Sequence, residues 1–197
     1  MGFLLLSCDD CSSASYNMLQ ALETRYAGRR FRSRREARWA VLLDQLKIEW
    51  RFEPEGYELE PGLCYLPDFE VQPTTGEGGW IWLEVKPELE RYRQLELLCL
   101  QSKRRGFVVA EPSTRATVLP CSLGGLWGPE ISVEALLLQL GITDRLTLQA
   151  ASNAALSARW EHGEQPRRPR KPGGRGPRAY QRAEGLLESG PDRDWGF

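Results

Sequence analysis

At 197 residues the chain has room for one domain of about 150 residues plus tails. Hydrophobic residues at 41% and seven Trp exclude global disorder, and the net charge of −1 by itself singles out no partner. Phe3 to Leu6, followed by Asp9 and Asp10, is too short an apolar run for a signal or a membrane span, so a soluble, cytoplasmic protein is expected.

Residues 1–27 have no strong period and read as an arm of uncertain structure. Cys8 and Cys11 in this arm have the spacing of half a zinc site, but no second CxxC or CxxH follows. The five Cys, at 8, 11, 64, 99 and 121, suit free thiols in a reducing compartment. Seven Arg fall between Arg25 and Arg38 against one acid, Glu36. Ser33 to Leu46 is expected to be a helix, with Ser33 and Glu36 at capping-box spacing and Trp39, Leu43 and Leu46 on one face. Short strands are expected at Ile48–Glu53 and Gly56–Leu59, in a stretch where Glu49 to Glu60 holds five Glu against Arg51. A strand at Leu63–Val71, the loop PTTGEGG and a strand at Trp80–Val85 form a hairpin. A helix over Glu88–Arg105 stops at Gly106, and Phe107–Ala110 is a buried strand ended by Pro112. Thr117–Leu119 reads as a strand, Val133–Leu140 as a short helix, and Asp144 as the cap of a last helix rich in small residues. The lone histidine, His162, reads as a solvated helix-end residue. From Arg167 to Arg182 come seven basic residues without an acid, in a Pro/Gly/Arg-rich tail, 164–197, that is not expected to pack. The organisation is a 28–163 domain of α/β class, with a mixed β-sheet flanked by helices in the order α-β-β-β-α-β.

The charged residues in the second hairpin strand carry the chemistry. Along GGWIWLEVKPELE, Ile81, Leu83 and Val85 form one apolar face, and Glu84 and Lys86 share the other with Trp80 and Trp82. A hairpin centred on Gly76 keeps both patterns in phase: Phe69 faces Leu83, Val71 faces Ile81, and Asp68 faces Glu84. Directly opposed carboxylates in a sheet lie about 4.5–5.5 Å apart at Cβ and repel, which suits a cation between them. Two carboxylates at that spacing suit Mg²⁺, which takes one or two carboxylates plus waters and phosphate oxygens. Lys86 then points at the same place, where its charge can position a water or steady a phosphate.

Pro67-Asp68, fifteen residues, then Glu84-Val85-Lys86 resembles the PD-(D/E)xK motif of the restriction-endonuclease-like nuclease superfamily, and the order of elements from Ser33 to Ala110 is similar to that family's core. The resemblance implies a metal-dependent endonuclease that hydrolyses phosphodiester bonds, with DNA preferred over RNA as substrate. It implies that Asp68, Glu84 and the Val85 carbonyl hold Mg²⁺, for which Mn²⁺ can substitute, with Lys86 as base or charge stabiliser. Glu36 on the first helix is the matching candidate for a further acid, and the capping box is its structural alternative. Arg29, Arg30, Arg32, Arg34 and Arg35 lie beside that helix and are placed to hold phosphates. A catalytically silent module that binds nucleic acid or a protein partner is the rival reading. A homodimer or a protein partner stays open, and no phosphate loop for ATP is present.

Overall fold

The computed structural model describes residues 23–75 and 79–160, which make a mixed α/β fold of four helices, a six-stranded sheet and two small hairpins. Cys8, Cys11, His162 and the basic tail lie outside the described residues.

The first hairpin, β1 (Thr24–Tyr26) and β2 (Arg29–Phe31), turns at Ala27-Gly28, both with positive φ, the backbone of a two-residue primed turn. The expected arm therefore ends earlier than residue 27, because Tyr26 and Phe31 are already core residues. Tyr26 pins the ribbon by donating its hydroxyl to Asp44 Oδ2 at 2.9 Å. Asp44 lies on α1 (Arg34–Gln45), capped as expected by Ser33, whose hydroxyl oxygen accepts from the Glu36 N–H at 3.2 Å. Nearly the whole helix surface is covered, with Ala37, Trp39, Ala40, Val41, Leu42 and Leu43 all buried.

Strands β3 (Glu49–Phe52), β6 (Phe69–Gln72) and β7 (Ile81–Val85) form the expected antiparallel meander. Between the first two, β4 (Tyr57–Glu60) and β5 (Leu63–Tyr65) leave the sheet as a separate hairpin. The single strand expected over Leu63–Val71 is broken at Leu66-Pro67-Asp68. Pro67 has no N–H for a ladder, which suits a break there. Helix α2 (Arg93–Ser102) begins later than the expected Glu88, after a non-helical stretch behind Pro87, and ends at Lys103 in left-handed conformation. Gly106 is not its stop but the first residue of β8 (Gly106–Val109), which pairs parallel to β7. Strands β9 (Thr117–Cys121) and β10 (Ile131–Ser132) complete the sheet in the order β10-β9-β8-β7-β6-β3. Helices α3 (Val133–Gln139) and α4 (Arg145–Ser157) follow, the latter capped by Asp144 as expected.

The strand alternation divides the core into two layers. Phe69, Val71, Ile81, Leu83, Phe107 and Val109 meet α1, α3 and α4 on one face. Trp82 and Val108 meet Leu95, Leu98 and Cys99 of α2 on the other, together with Tyr65. Each such side chain contributes roughly 1.5–3 kcal/mol when fully buried. Tight packing of α2 on β8 depends on Gly106: a Cβ there would stand 2.7 Å from Cys99 Sγ and 2.9 Å from Leu95 Cδ1. Gly106→Ala is therefore expected to destabilise the fold by about 1–3 kcal/mol, the cost of overpacking a filled core. Urea unfolding measures it; a midpoint unchanged from wild type would show that α2 can lift freely.

Candidate active site

The hairpin register is the one the apolar pattern demands. Phe69 pairs with Leu83 and Val71 with Ile81, so one further step sets Asp68 opposite Glu84. Across β3 the same row continues to Glu53, whose N–H donates to the Asp68 carbonyl at 2.9 Å. Asp68 and Glu84 are buried, at 4% and 2% exposure. They open onto a cleft of about 390 Å³ that is also lined by Arg32, Glu36, Tyr65, Val85, Lys86 and Tyr92.

Two main-chain bonds lock the carboxylates together. The Val85 N–H donates to Asp68 Oδ2 at 2.8 Å, and the Asp68 N–H donates more weakly to Glu84 Oε2 at 3.4 Å. Each acid thus accepts an amide next to or belonging to the other. Side chains supply the other contacts, and Glu84 Oε2 accepts from one of them as well. Arg32 Nη2 donates to Asp68 Oδ1 at 2.9 Å, the Tyr65 hydroxyl to Glu84 Oε2 at 2.5 Å, and Lys86 Nζ lies 2.7 Å from Glu84 Oε1. Lys86 also sits 4.2 Å from the centre of the Tyr92 ring, so a cation–π contact and an ion pair fix its ammonium together. The late start of α2 allows this, because Tyr92 precedes the helix as its N-cap residue.

Burial drives the acid–base properties. It raises the Asp68 carboxyl to about 7, with the negative charge of Glu84 as the next cause and the Val85 amide opposing. Arg32 pulls the other way, but its side chain is 61% exposed and its effect is screened. Burial also raises Glu36, against hydrogen bonds from Ser33 and the Arg32 amide. For Lys86 burial alone would depress the ammonium, yet its hydrogen bond and charge attraction to Glu84 hold it above the ordinary range. Lys86 is thus a cation in the metal-free protein. The Tyr65 hydroxyl is raised by burial and by Glu84, so it stays protonated and donating.

The expected site residues divide into three groups. Asp68, Glu84, Val85 and Lys86 come together. Glu36 lines the same cleft but acts as a cap: its Oε2 accepts from the Arg32 N–H at 3.0 Å and its Oε1 from the Ser33 hydroxyl at 2.8 Å. The arginines scatter. Arg32 belongs to the site itself, Arg30 pairs with Glu23 at 2.5 Å, Arg29 lies over the Trp50 ring at 5.4 Å, and Arg35 joins Arg38 on Glu111. Arg34 lies in the first turn of α1 with a contact of its own. Tyr65, Tyr92 and Glu53 are additions that the strand and helix patterns do not mark out.

Among the described residues no three His, Cys, Asp or Glu side chains converge closely enough to hold a metal ion between them. The donor set still suits Mg²⁺, which needs only one or two carboxylates and fills the rest of its shell with water and phosphate oxygens. All donors are hard oxygens. The cleft is lined by three carboxylates, Glu36, Asp68 and Glu84, against two cations, Arg32 and Lys86, an acid-rich lining that favours a cation. The Val85 N–H leaves the strand toward Asp68, and in extended backbone the carbonyl of the same residue leaves by the same edge.

Because the Asp68 carboxyl lies above the 3.8 of an exposed Asp, its stabilising contribution is complete below about pH 4 and is lost as pH rises through about 7. Asp68→Asn lacks that loss. In EDTA, the stability of wild type minus that of Asp68→Asn should fall between these pH values, read from urea midpoints. A difference that stays flat, or that grows with pH, would show an ordinary or depressed Asp68. Compared with known protein families, with curated proteins and with solved structures, the chain matches none, so the functional reading rests on the site itself.

Proposed function

We propose that the protein is a Mg²⁺-dependent endonuclease with a restriction-endonuclease-like core, acting on DNA. The observation that carries the reading is the amide-locked pair Asp68 and Glu84 with Lys86 on the same open cleft. The order α1, β3, β6, β7, α2, β8, with the last strand parallel to β7 across α2, supports it. A paired, buried and mutually repelling set of acids is costly as a structural device, and a surface ion pair would not need it.

Hydrolysis adds a water oxygen to phosphorus, breaks the P–O bond to one sugar, and gives a proton to the departing sugar oxygen. The metal, when bound through Asp68, Glu84 and the Val85 carbonyl, supplies a Lewis acid and lowers the proton affinity of water. Asp68 and Glu84 keep their geometry through the two amides, so little reorganisation accompanies binding. Tyr65 holds one Glu84 oxygen and thereby orients the other toward the cleft. Lys86, fixed by Glu84 and Tyr92, places positive charge where negative charge gathers on the phosphate. Arg29 and Arg30 on the β1–β2 ribbon are exposed and available to phosphates beyond the cleft.

Purified protein should nick or cut supercoiled, linear or branched DNA with Mg²⁺ or Mn²⁺ and not in EDTA. Lys86→Ala should lose at least about a hundredfold in rate, the scale of one charge stabiliser or general base, while keeping a cooperative melt. Cutting that survives EDTA or Lys86→Ala would place the chemistry elsewhere. Metal-insensitive DNA or protein binding without cutting would favour the silent module.

A second expectation concerns affinity. Replacing Arg29 and Arg30 with Ala should lower the log–log salt slope of DNA binding by roughly 0.9 per lost phosphate contact. An unchanged slope would make the ribbon ordinary surface.

A further inference from the structure

Arg32 does not sit like a residue waiting for a phosphate. A single nitrogen, Nη2, bridges Glu53 Oε1 and Asp68 Oδ1 at 2.9 Å each. Its two partners differ: Asp68 is almost sealed, at 6% side-chain exposure, whereas Glu53 is 31% exposed. The two Asp68 oxygens differ as well. Oδ2 accepts a main-chain N–H from inside β7 and cannot be freed without disturbing the strand. Oδ1 is held by a side chain that is 61% exposed and can rotate. Meanwhile the Arg32 main chain is anchored, because its N–H donates to Glu36 Oε2 just before the Ser33 cap. The side chain can therefore move while its Cα stays at the cleft. A cation arriving at Asp68 meets one oxygen that is committed and one that is exchangeable.

We propose that Arg32 is an exchangeable counter-cation: it neutralises Asp68 in the metal-free protein, yields Oδ1 to a divalent ion, and then, tethered by Glu53, presents its guanidinium to the phosphate being cut. This rests on the nuclease reading above and gives Arg32 and Glu53 parts that general DNA affinity does not require. The charges agree with it. Without metal, the row Glu53–Asp68–Glu84, buried at its last two members, needs Arg32 and Lys86 to offset it; with a divalent ion at Asp68, positive charge beside that ion repels it, and the more exposed Glu53 remains as the resting place. A guanidinium fork facing the cleft suits two phosphate oxygens, as a lysine would not.

The distinguishing feature is that metal binding and catalysis should move in opposite directions. Mn²⁺ alone, titrated by calorimetry or by electron paramagnetic resonance of the free ion without DNA, should bind Arg32→Gln roughly tenfold tighter than wild type, as expected on removing a like charge from a partly exposed site. At saturating Mn²⁺ the single-turnover cleavage rate of the same variant should fall roughly a hundredfold, the scale of one lost oxyanion partner. Arg32→Lys keeps the charge without the fork; its Mn²⁺ affinity should stay near wild type while its rate falls, which keeps the test decisive if Arg32→Gln folds poorly. Equal or weaker Mn²⁺ binding in folded Arg32→Gln, or tighter binding in Arg32→Lys, overturns the exchange. A loss confined to KM, with the saturated rate unchanged, makes Arg32 a simple phosphate anchor and overturns it too. If wild type binds Mn²⁺ and cuts DNA while these variants disagree, only the exchange fails; if wild type neither binds Mn²⁺ nor cuts, the nuclease reading fails with it.

Discussion

Two carboxylates forced side by side below the surface are the constraint around which the molecule is arranged. Burying one charge without a partner costs several kcal/mol, and removing one member of a buried pair typically costs about 3–5 kcal/mol. Asp68 and Glu84 meet that demand with a main-chain amide, a phenol, a guanidinium and an ammonium, drawn from β7, β5, the approach to α1 and the residue after β7. Several irregular features of the chain serve these contacts. The break at Pro67 turns the β4–β5 hairpin off the sheet and lets Tyr65 reach Glu84. The non-helical stretch behind Pro87 lets Tyr92 cover Lys86. The Ser33 cap fixes both Glu36 and the Arg32 main chain.

The two faces of the sheet therefore have different duties. Toward α1, α3 and α4 the strands present an unbroken apolar layer. Toward α2 they present a mixed layer in which Trp82 is buried beside Glu70, itself paired with Arg51 at 3.1 Å and Arg104 at 2.6 Å. Arg51 lies over Trp80 and Arg104 over Trp82, so the middle of this face is a closed network in which one acid is held by two cations. Only the end of the face, at Asp68 and Glu84, carries surplus negative charge beside an open cleft.

Much of this is legible in the sequence because period-two patterning is strict where a strand is buried. Phe69 and Val71 against Ile81 and Leu83 allow one register, and a slip by one residue would turn the core outward; the juxtaposition of Asp68 and Glu84 follows from it. Ser33 and Asp144 announce their helices by cap chemistry. The rest fails for identifiable reasons. Thr24–Tyr26 is too short for a period, and an Ala at positive φ gives no turn signal. Tyr92 has helical spacing from Leu95 and Leu98, so pattern alone cannot show that it lies before the helix. Arg32 stands in a run of arginines read as phosphate contacts, while its two acids lie just after β3 and just before β6. Contacts between distant segments that depend on one side chain leave no period behind.

The separation between Arg32 and its acid has a kinetic side. The hairpin that brings Asp68 to Glu84 closes over a short stretch of chain, whereas Arg32 is 36 residues away from Asp68 and arrives only when α1 and the β1–β2 ribbon dock on the sheet. Loop closure favours the nearer contacts. During folding the acid pair is therefore assembled before one of its neutralising charges, and for that interval the nascent sheet repels itself. Dissolved cations screen the acid pair during this time, so ionic strength bears on how fast the chain folds.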